Sequence, residues 1–199
     1  MSEPPTSTNI TLGILAGGRA SRLGGIDKAW LQREGQPQVL RWRDRFANEV
    51  SASLVSANRS LPQYAAAGLD AVTDSIEGDV GPIAGLAALA AACHTHWLLT
   101  IPVDLLDVND HLLPMLVAGR GNDGAYACDD DGVQPLVALW RVPRLRPMIP
   151  AAIASGDIAV QSLQRRLDMA AVRFDGVRFG NLNTPDDLAN AGIHPNLER

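Results

Sequence analysis

The sequence predicts an α/β protein, with a three-layer, mainly parallel twisted sheet, helices on both faces and a small antiparallel element in the second half. Three observations carry this. Short aliphatic runs alternate with helical patterns through the first hundred residues, the first run ends in a glycine pair, and two later strand patterns are joined by an acidic glycine turn. With 199 residues and a 46% hydrophobic fraction, the chain has apolar side chains for one sizeable core and is short for two. One domain is therefore expected over 10–192, between a loose tail at 1–9 and a second tail at 193–199.

The elements follow in order. Residues 10–16 form an aliphatic run closing on Gly17 and Gly18, as a buried parallel strand entering a functional turn would. Over 37–50, Val39, Leu40, Trp42, Phe46 and Val50 fall mostly on one helical face. Residues 52–56 read as a strand, 61–67 as a short helix that Gly68 closes in the left-handed region, and 71–73 as a brief strand. Pro82 opens an alanine-rich helix over 83–92, and the apolar strand 97–103 delivers Asp104 at its end. Strands at 124–128 and 135–140 flank Asp129, Asp130, Asp131 and Gly132 as a hairpin, whose three carboxylates are expected in solvent. Helices at 144–154 and 160–167, a strand at 171–174, and a helix at 185–191 capped by Thr184 complete the chain.

Composition excludes several classes of function. A net charge of −5 and the lack of any Lys/Arg run argue against nucleic acid or an anionic membrane as partner. The start has no basic segment followed by an apolar one, and the apolar stretch 83–93 is too short to span a bilayer, so a cytoplasmic location is expected. Cys93 and Cys128 show no CxxC spacing and are expected as free thiols. His94, His96, His111 and His194 form no metal-ligand set, Trp42 and Trp97 suit the core, and Arg41, Arg43 and Arg45 are expected in solvent.

The segment from Leu15 through Lys28 carries the chemistry. It places four glycines and three cations, Arg19, Arg22 and Lys28, just after a buried strand. Glycines let backbone N–H groups approach an anion without a Cβ in the way, and the cations hold triphosphate charge. The pattern is neither the P-loop, which needs Gly-Lys-Ser/Thr after four spacer residues, nor the GxGxxG dinucleotide fingerprint.

This segment resembles the LAGGxSxRMGxDKxL signature of nucleotidyltransferases that activate sugars and cofactors, and most closely that of the molybdenum cofactor guanylyltransferases. The resemblance extends in order through Ser56-Ala57-Asn58-Arg59, Thr73-Asp74-Ser75, Gly81-Pro82-Ile83-Ala84-Gly85, Pro102-Val103-Asp104 and the run from Gly180 to Leu188. It covers about Leu12 to Leu188. Departures are Val103 and Leu106 in the family's Pro-Cys-Asp-x-Pro block, Leu23 in place of Met, and a bulky Trp30 after the lysine.

The resemblance implies the Rossmann-like nucleotidyltransferase fold, with nucleotide bound by 10–104 and acceptor by 105–192. It implies that Leu15, Ala16, Gly17 and Gly18 line the guanine and ribose-phosphate site, that Lys28 meets the triphosphate, and that Asn58 and Asp74 fix the nucleoside. Asp104 would bind Mg²⁺, a role that suits one carboxylate at a strand's end sharing the ion with substrate oxygens. Arg19, Arg22, Lys28 and Asp104 would carry the catalytic charge.

Asn181 and Asn183 alternate along an extended segment, so both amides would face an acceptor; two turn-forming asparagines is the alternative reading. Gly25, Gly81 and Gly85 would allow the acceptor's close approach, although Gly85 also reads as a helix-packing glycine. The implied reaction joins GTP to Mo-molybdopterin with release of pyrophosphate, the product passing to molybdoenzyme-specific chaperones. A cytidylyltransferase or sugar-phosphate enzyme of the same superfamily, and a non-catalytic GTP-binding or cofactor-delivery protein, are the competing readings.

Overall fold

A computed structural model describes residues 3–17, 27–74, 76, 80–108 and 110–193. Strand β1 (Ile10–Leu15) leads to Gly17, and a 3₁₀ turn at Lys28–Trp30 precedes a hairpin of β2 (Gln32–Arg33) and β3 (Gln36–Pro37). Then come α1 (Gln38–Phe46), β4 (Ala52–Ser56), α2 (Leu61–Ala66), β5 (Asp70–Val72), α3 (Pro82–Ala92) and β6 (Trp97–Pro102). The second half holds α4 (Leu112–Gly119), β7 (Gly124–Asp129), β8 (Gly132–Arg141), α5 (Val142–Ala154), α6 (Val160–Arg166), β9 (Ala170–Arg173) and α7 (Pro185–Asn190).

The large sheet has the order β5-β4-β1-β6-β8-β7-β9. Strands β5, β4, β1 and β6 are mutually parallel, β8 runs antiparallel between β6 and β7, and β9 joins β7 in parallel. The antiparallel element expected in the second half is thus β8, built into the same sheet.

Alternation along the strands feeds two separate cores. Trp97, Leu99 and Ile101 of β6 join Ile10, Leu12 and Ile14 of β1 beneath Val39, Trp42 and Phe46 of α1 and Leu112 and Leu116 of α4. On the other face Leu98, Ala138 and Trp140 meet Ile83, Leu86 and Leu89 of α3, Leu145 and Ile149 of α5 and Leu163 of α6. Each such side chain contributes about 1.5–3 kcal/mol on burial, so the helices stay on their faces. Leu31, Leu182, Leu188 and Ile193 form a small third cluster that anchors α7.

Several expectations need correction. From Glu3 on, the expected loose tail is tied down: the buried Trp97 indole donates to Glu3 O at 3.0 Å, and the Asn9 amide donates to Pro4 O at 2.9 Å. A buried indole N–H needs an acceptor, and the tail supplies it. Ile193 belongs to the core, being 1% exposed, and so extends the folded chain past 192. Arg41, Arg43 and Arg45 are not simply solvated. Arg41 donates to Leu106 O at 3.4 Å, Arg43 to Ala67 O at 3.4 Å, and Arg45 pairs with Glu49.

Asp129 departs most from expectation, because it is fully buried. Its carboxylate accepts from Phe179 N at 2.9 Å, Asp131 N at 3.0 Å and the Gln134 amide at 3.1 Å. Burial alone pushes this carboxyl up, but the donors from Phe179, Gln134, Asp131 and Gly132 outweigh it and hold the carboxyl below the usual range.

Candidate active site

Four parallel neighbours end at one edge of the sheet, so the residues that follow them meet there: Asp74 after β5, Ser56 at the end of β4, Ala16 and Gly17 after β1, and Asp104 after β6. Backbone pairing continues past the strands, with Ala16 N donating to Ser56 O at 2.9 Å and Val103 N to Leu15 O at 3.0 Å. The resulting cleft is lined by Leu15, Ala16, Gly17, Lys28, Asp74, Gly81, Gly85 and Asp104.

Lys28 is delivered by the 3₁₀ turn, whose N-cap Asp27 accepts from Ala29 N at 3.1 Å. Its ammonium lies 2.7 Å from Asp104 Oδ2 and 2.8 Å from Asn183 Oδ1. The two charged side chains are 18% and 22% exposed, so solvent screens this pair less than one on the surface. An ammonium beside a carboxylate, in a cleft closed on one side by glycine-containing backbone, has the donor and acceptor types that a phosphate with a cation requires.

The backbone around Asp104 is held on three sides. The Trp42 indole donates to Val103 O at 3.1 Å, the buried Gln38 amide donates to Leu105 O at 2.7 Å, and Leu182 N donates to Asp104 O at 2.8 Å. Helix α1 therefore grips the turn by two side chains, and the carboxylate points into the cleft from fixed backbone. The loop bearing Asn183 is fixed in a similar way: Asp129 holds Phe179 N, Leu106 N donates to Phe179 O at 3.1 Å, and the Thr184–Asp187 capping box closes the start of α7. The Thr184 hydroxyl, with the N–H groups of Thr184 and Asn183, holds the Asp187 carboxyl below its usual range.

At the other end of the cleft the Asn58 amide donates to Asp74 Oδ2 at 2.5 Å, and Asp74 N donates to Asn58 Oδ1 at 3.1 Å. Asn58 thus reaches the cleft through Asp74. Gly81 caps α3 with φ 68° and ψ −153°, a conformation that glycine alone adopts without strain. A Cβ on Gly85 would lie 2.7 Å from Ser56 Oγ and 3.0 Å from Leu15 Cδ2, so its packing role is the one the geometry shows.

The structure brings together most of the expected residues. Asn183 joins through Lys28, whereas Asn181 is exposed outside the cleft lining, and its backbone bridges to Leu105. Gly18, Arg19, Arg22 and Gly25 lie outside the described residues, as does His194. Asp27, Ser56 and Leu136 also line the cleft and were not singled out. Asp27 and Ser56 stand inside the quoted motifs, so their signal was present; Leu136 comes from a strand that offered none. Among the described residues no three of His, Cys, Asp and Glu cluster as a metal set. A cation here would rest on Asp104 together with substrate oxygens.

Parallel strand ends that bring Gly17, Asp74 and Asp104 into one cleft with Lys28 suit an enzyme of the nucleotidyltransferase class. Residues 12–171 match the model of the MobA-like NTP transferase domain, and the chain belongs to that family. It is 36% identical over 182 residues to a molybdenum cofactor guanylyltransferase of Yersinia pseudotuberculosis, covering 90% of this chain and 93% of the relative. It is 35% identical to the protein of the same name from Yersinia pestis, with the same coverage.

Among solved structures it resembles molybdopterin-guanine dinucleotide biosynthesis protein A from Archaeoglobus fulgidus, with TM-score 0.67 and 22% identity over 91% of this chain and 96% of the other. It also resembles 2-C-methyl-D-erythritol 4-phosphate cytidylyltransferase from Thermus thermophilus, with TM-score 0.64 and 18% identity over 90% and 95%. Both likenesses concern the fold. No helix among the described residues is long and apolar enough to cross a membrane.

Proposed function

We propose that this protein transfers GMP from GTP to the phosphate of Mo-molybdopterin, releasing pyrophosphate and forming the guanine dinucleotide cofactor. The observation that carries the reading is the Lys28–Asp104 contact of 2.7 Å in the strand-end cleft, in a chain 36% identical over 182 residues to a named guanylyltransferase.

The acceptor phosphate is already anionic at neutral pH, so its attack on the α-phosphorus needs no general base. Among the described residues lining the cleft there is no histidine. The protein's work is positioning and charge neutralisation. Lys28 would turn from Asp104 toward the triphosphate, helped by Arg19 and Arg22, while Leu15 to Gly18 and the Asn58–Asp74 pair seat the nucleoside. Asp104 would hold Mg²⁺, which supplies charge neutralisation at the phosphates when bound.

Residues 105–192 would seat the acceptor through Asn183, with Gly25 and Gly81 of the first half allowing its close approach. The reaction would take place in the cytoplasm, with product handed to molybdoenzyme-specific chaperones. GTP titration with and without Mg²⁺, run beside turnover assays of Lys28→Ala and Asp104→Asn, tests the roles. Each variant should lose about 100-fold or more in kcat, and Asp104→Asn should also lose the dependence of GTP affinity on Mg²⁺. Near-normal turnover in Lys28→Ala would contradict the reading.

A further inference from the structure

The hydroxyl of Tyr64 on α2 and the indole N–H of Trp30 are both buried, and neither completes a hydrogen bond among the described residues. Their rings touch, with centroids 5.0 Å apart and planes tilted by 53°. Buried polar groups are almost always paired, so two unpaired ones in contact mark a place where a second arrangement of the packing gains a hydrogen bond. We propose that Tyr64 is a positioning residue for Lys28: its hydroxyl donates to the Asp27 carboxylate as the ammonium turns from Asp104 to the triphosphate, and so fixes the turn that carries the lysine. The inference rests on the reading of Lys28 as the partner of the triphosphate.

Asp27 sets where Lys28 points. Its carbonyl accepts from Trp30 N at 3.1 Å and its Oδ1 from Ala29 N at 3.1 Å, so main chain and side chain together shape the 3₁₀ turn. A carboxylate has about four lone-pair sites, so it can accept a further donor without releasing Ala29. Burial first, and then the charge of Asp27, push the Tyr64 hydroxyl well above its usual pKa. The phenol therefore keeps its proton at neutral pH and meets the carboxylate as a donor. Tyr64 itself is anchored: it is fully buried, belongs to the same core as Trp42 and Phe46, and its carbonyl accepts from Leu69 N at 3.0 Å. The turn lies between this anchored ring and the cleft, whose lining includes Asp27 and Lys28 but not Tyr64. Tyr64 thus reaches the ligand only through the turn.

The test measures affinity for inorganic tripolyphosphate and thermal melting in wild type, Tyr64→Phe, Lys28→Ala and the double variant. Phenylalanine keeps the ring against Trp30 and removes only the hydroxyl. Tyr64→Phe should bind tripolyphosphate about tenfold more weakly and melt no lower than wild type, since an unpaired buried hydroxyl does not stabilise the free protein. Added to Lys28→Ala it should change affinity by less than about twofold, a coupling that a purely structural role would not produce. Wild-type affinity in Tyr64→Phe, a lowered melting temperature, or a full further loss in the double variant would overturn the proposal while leaving the role of Lys28 standing. Unaltered binding in Lys28→Ala, or no binding by wild type, would overturn both.

Discussion

Lys28 is the residue on which two distant parts of the chain converge, Asp104 from the end of β6 and Asn183 from the loop before α7. Because these groups touch, their effects should not add: the double variant Lys28→Ala/Asp104→Asn should lose much less activity than the product of the single losses. Asp129 acts at the same scale but on structure. Its folded pKa lies below the ordinary value of about 3.9, so its stabilising contribution is complete above that value and is lost as pH falls through the folded pKa. Asp129→Asn should destabilise the protein by roughly 1–3 kcal/mol at neutral pH. Urea denaturation should show the gap from wild type narrowing below about pH 4; a gap constant down to strongly acid pH would contradict the assignment.

Among elements, α1 does two jobs, closing one face of the sheet with Val39, Trp42 and Phe46 and holding the Asp104 turn through Trp42 and Gln38. Trp42→Phe keeps most of the apolar volume but removes the donor to Val103 O. It should lower kcat about tenfold while costing roughly 1–2 kcal/mol of stability; kcat beside urea midpoints checks this, and unchanged kcat would mean that the turn holds its own position. The helix itself was legible from its apolar spacing, but the second job was not, because both acceptors are backbone carbonyls more than sixty residues away.

Helix α4 escaped the sequence reading for another reason: Leu112 to Gly119 is apolar on nearly every side and contains Pro114, so it shows no period to follow. The β2–β3 hairpin escaped because its strands have two residues each, while its turn is carried by Glu34 and Gly35 at positive φ.

Across the whole molecule, parallel order makes a site out of segments that are far apart in sequence. Gly17, Asp74 and Asp104 were legible because each closely follows a short strand, and parallel strands bring such positions to one edge. Asp129 was not legible. Its neighbours Asp130 and Asp131 give the pattern of a solvated turn, and the Phe179 N–H that buries it lies fifty residues on. The contact of Asn183 with Lys28 spans 155 residues and depends on the capped start of α7, which the sequence indicated, and on the Asp129–Phe179 anchor, which it did not.

Guanylyl transfer to a pterin phosphate is the central claim, and pyrophosphate release tests it most directly. Purified protein with Mg²⁺ would be given GTP or CTP, each with and without Mo-molybdopterin. Release with GTP only when the pterin is present is the predicted result; release with CTP, or none despite tight GTP binding, would contradict it.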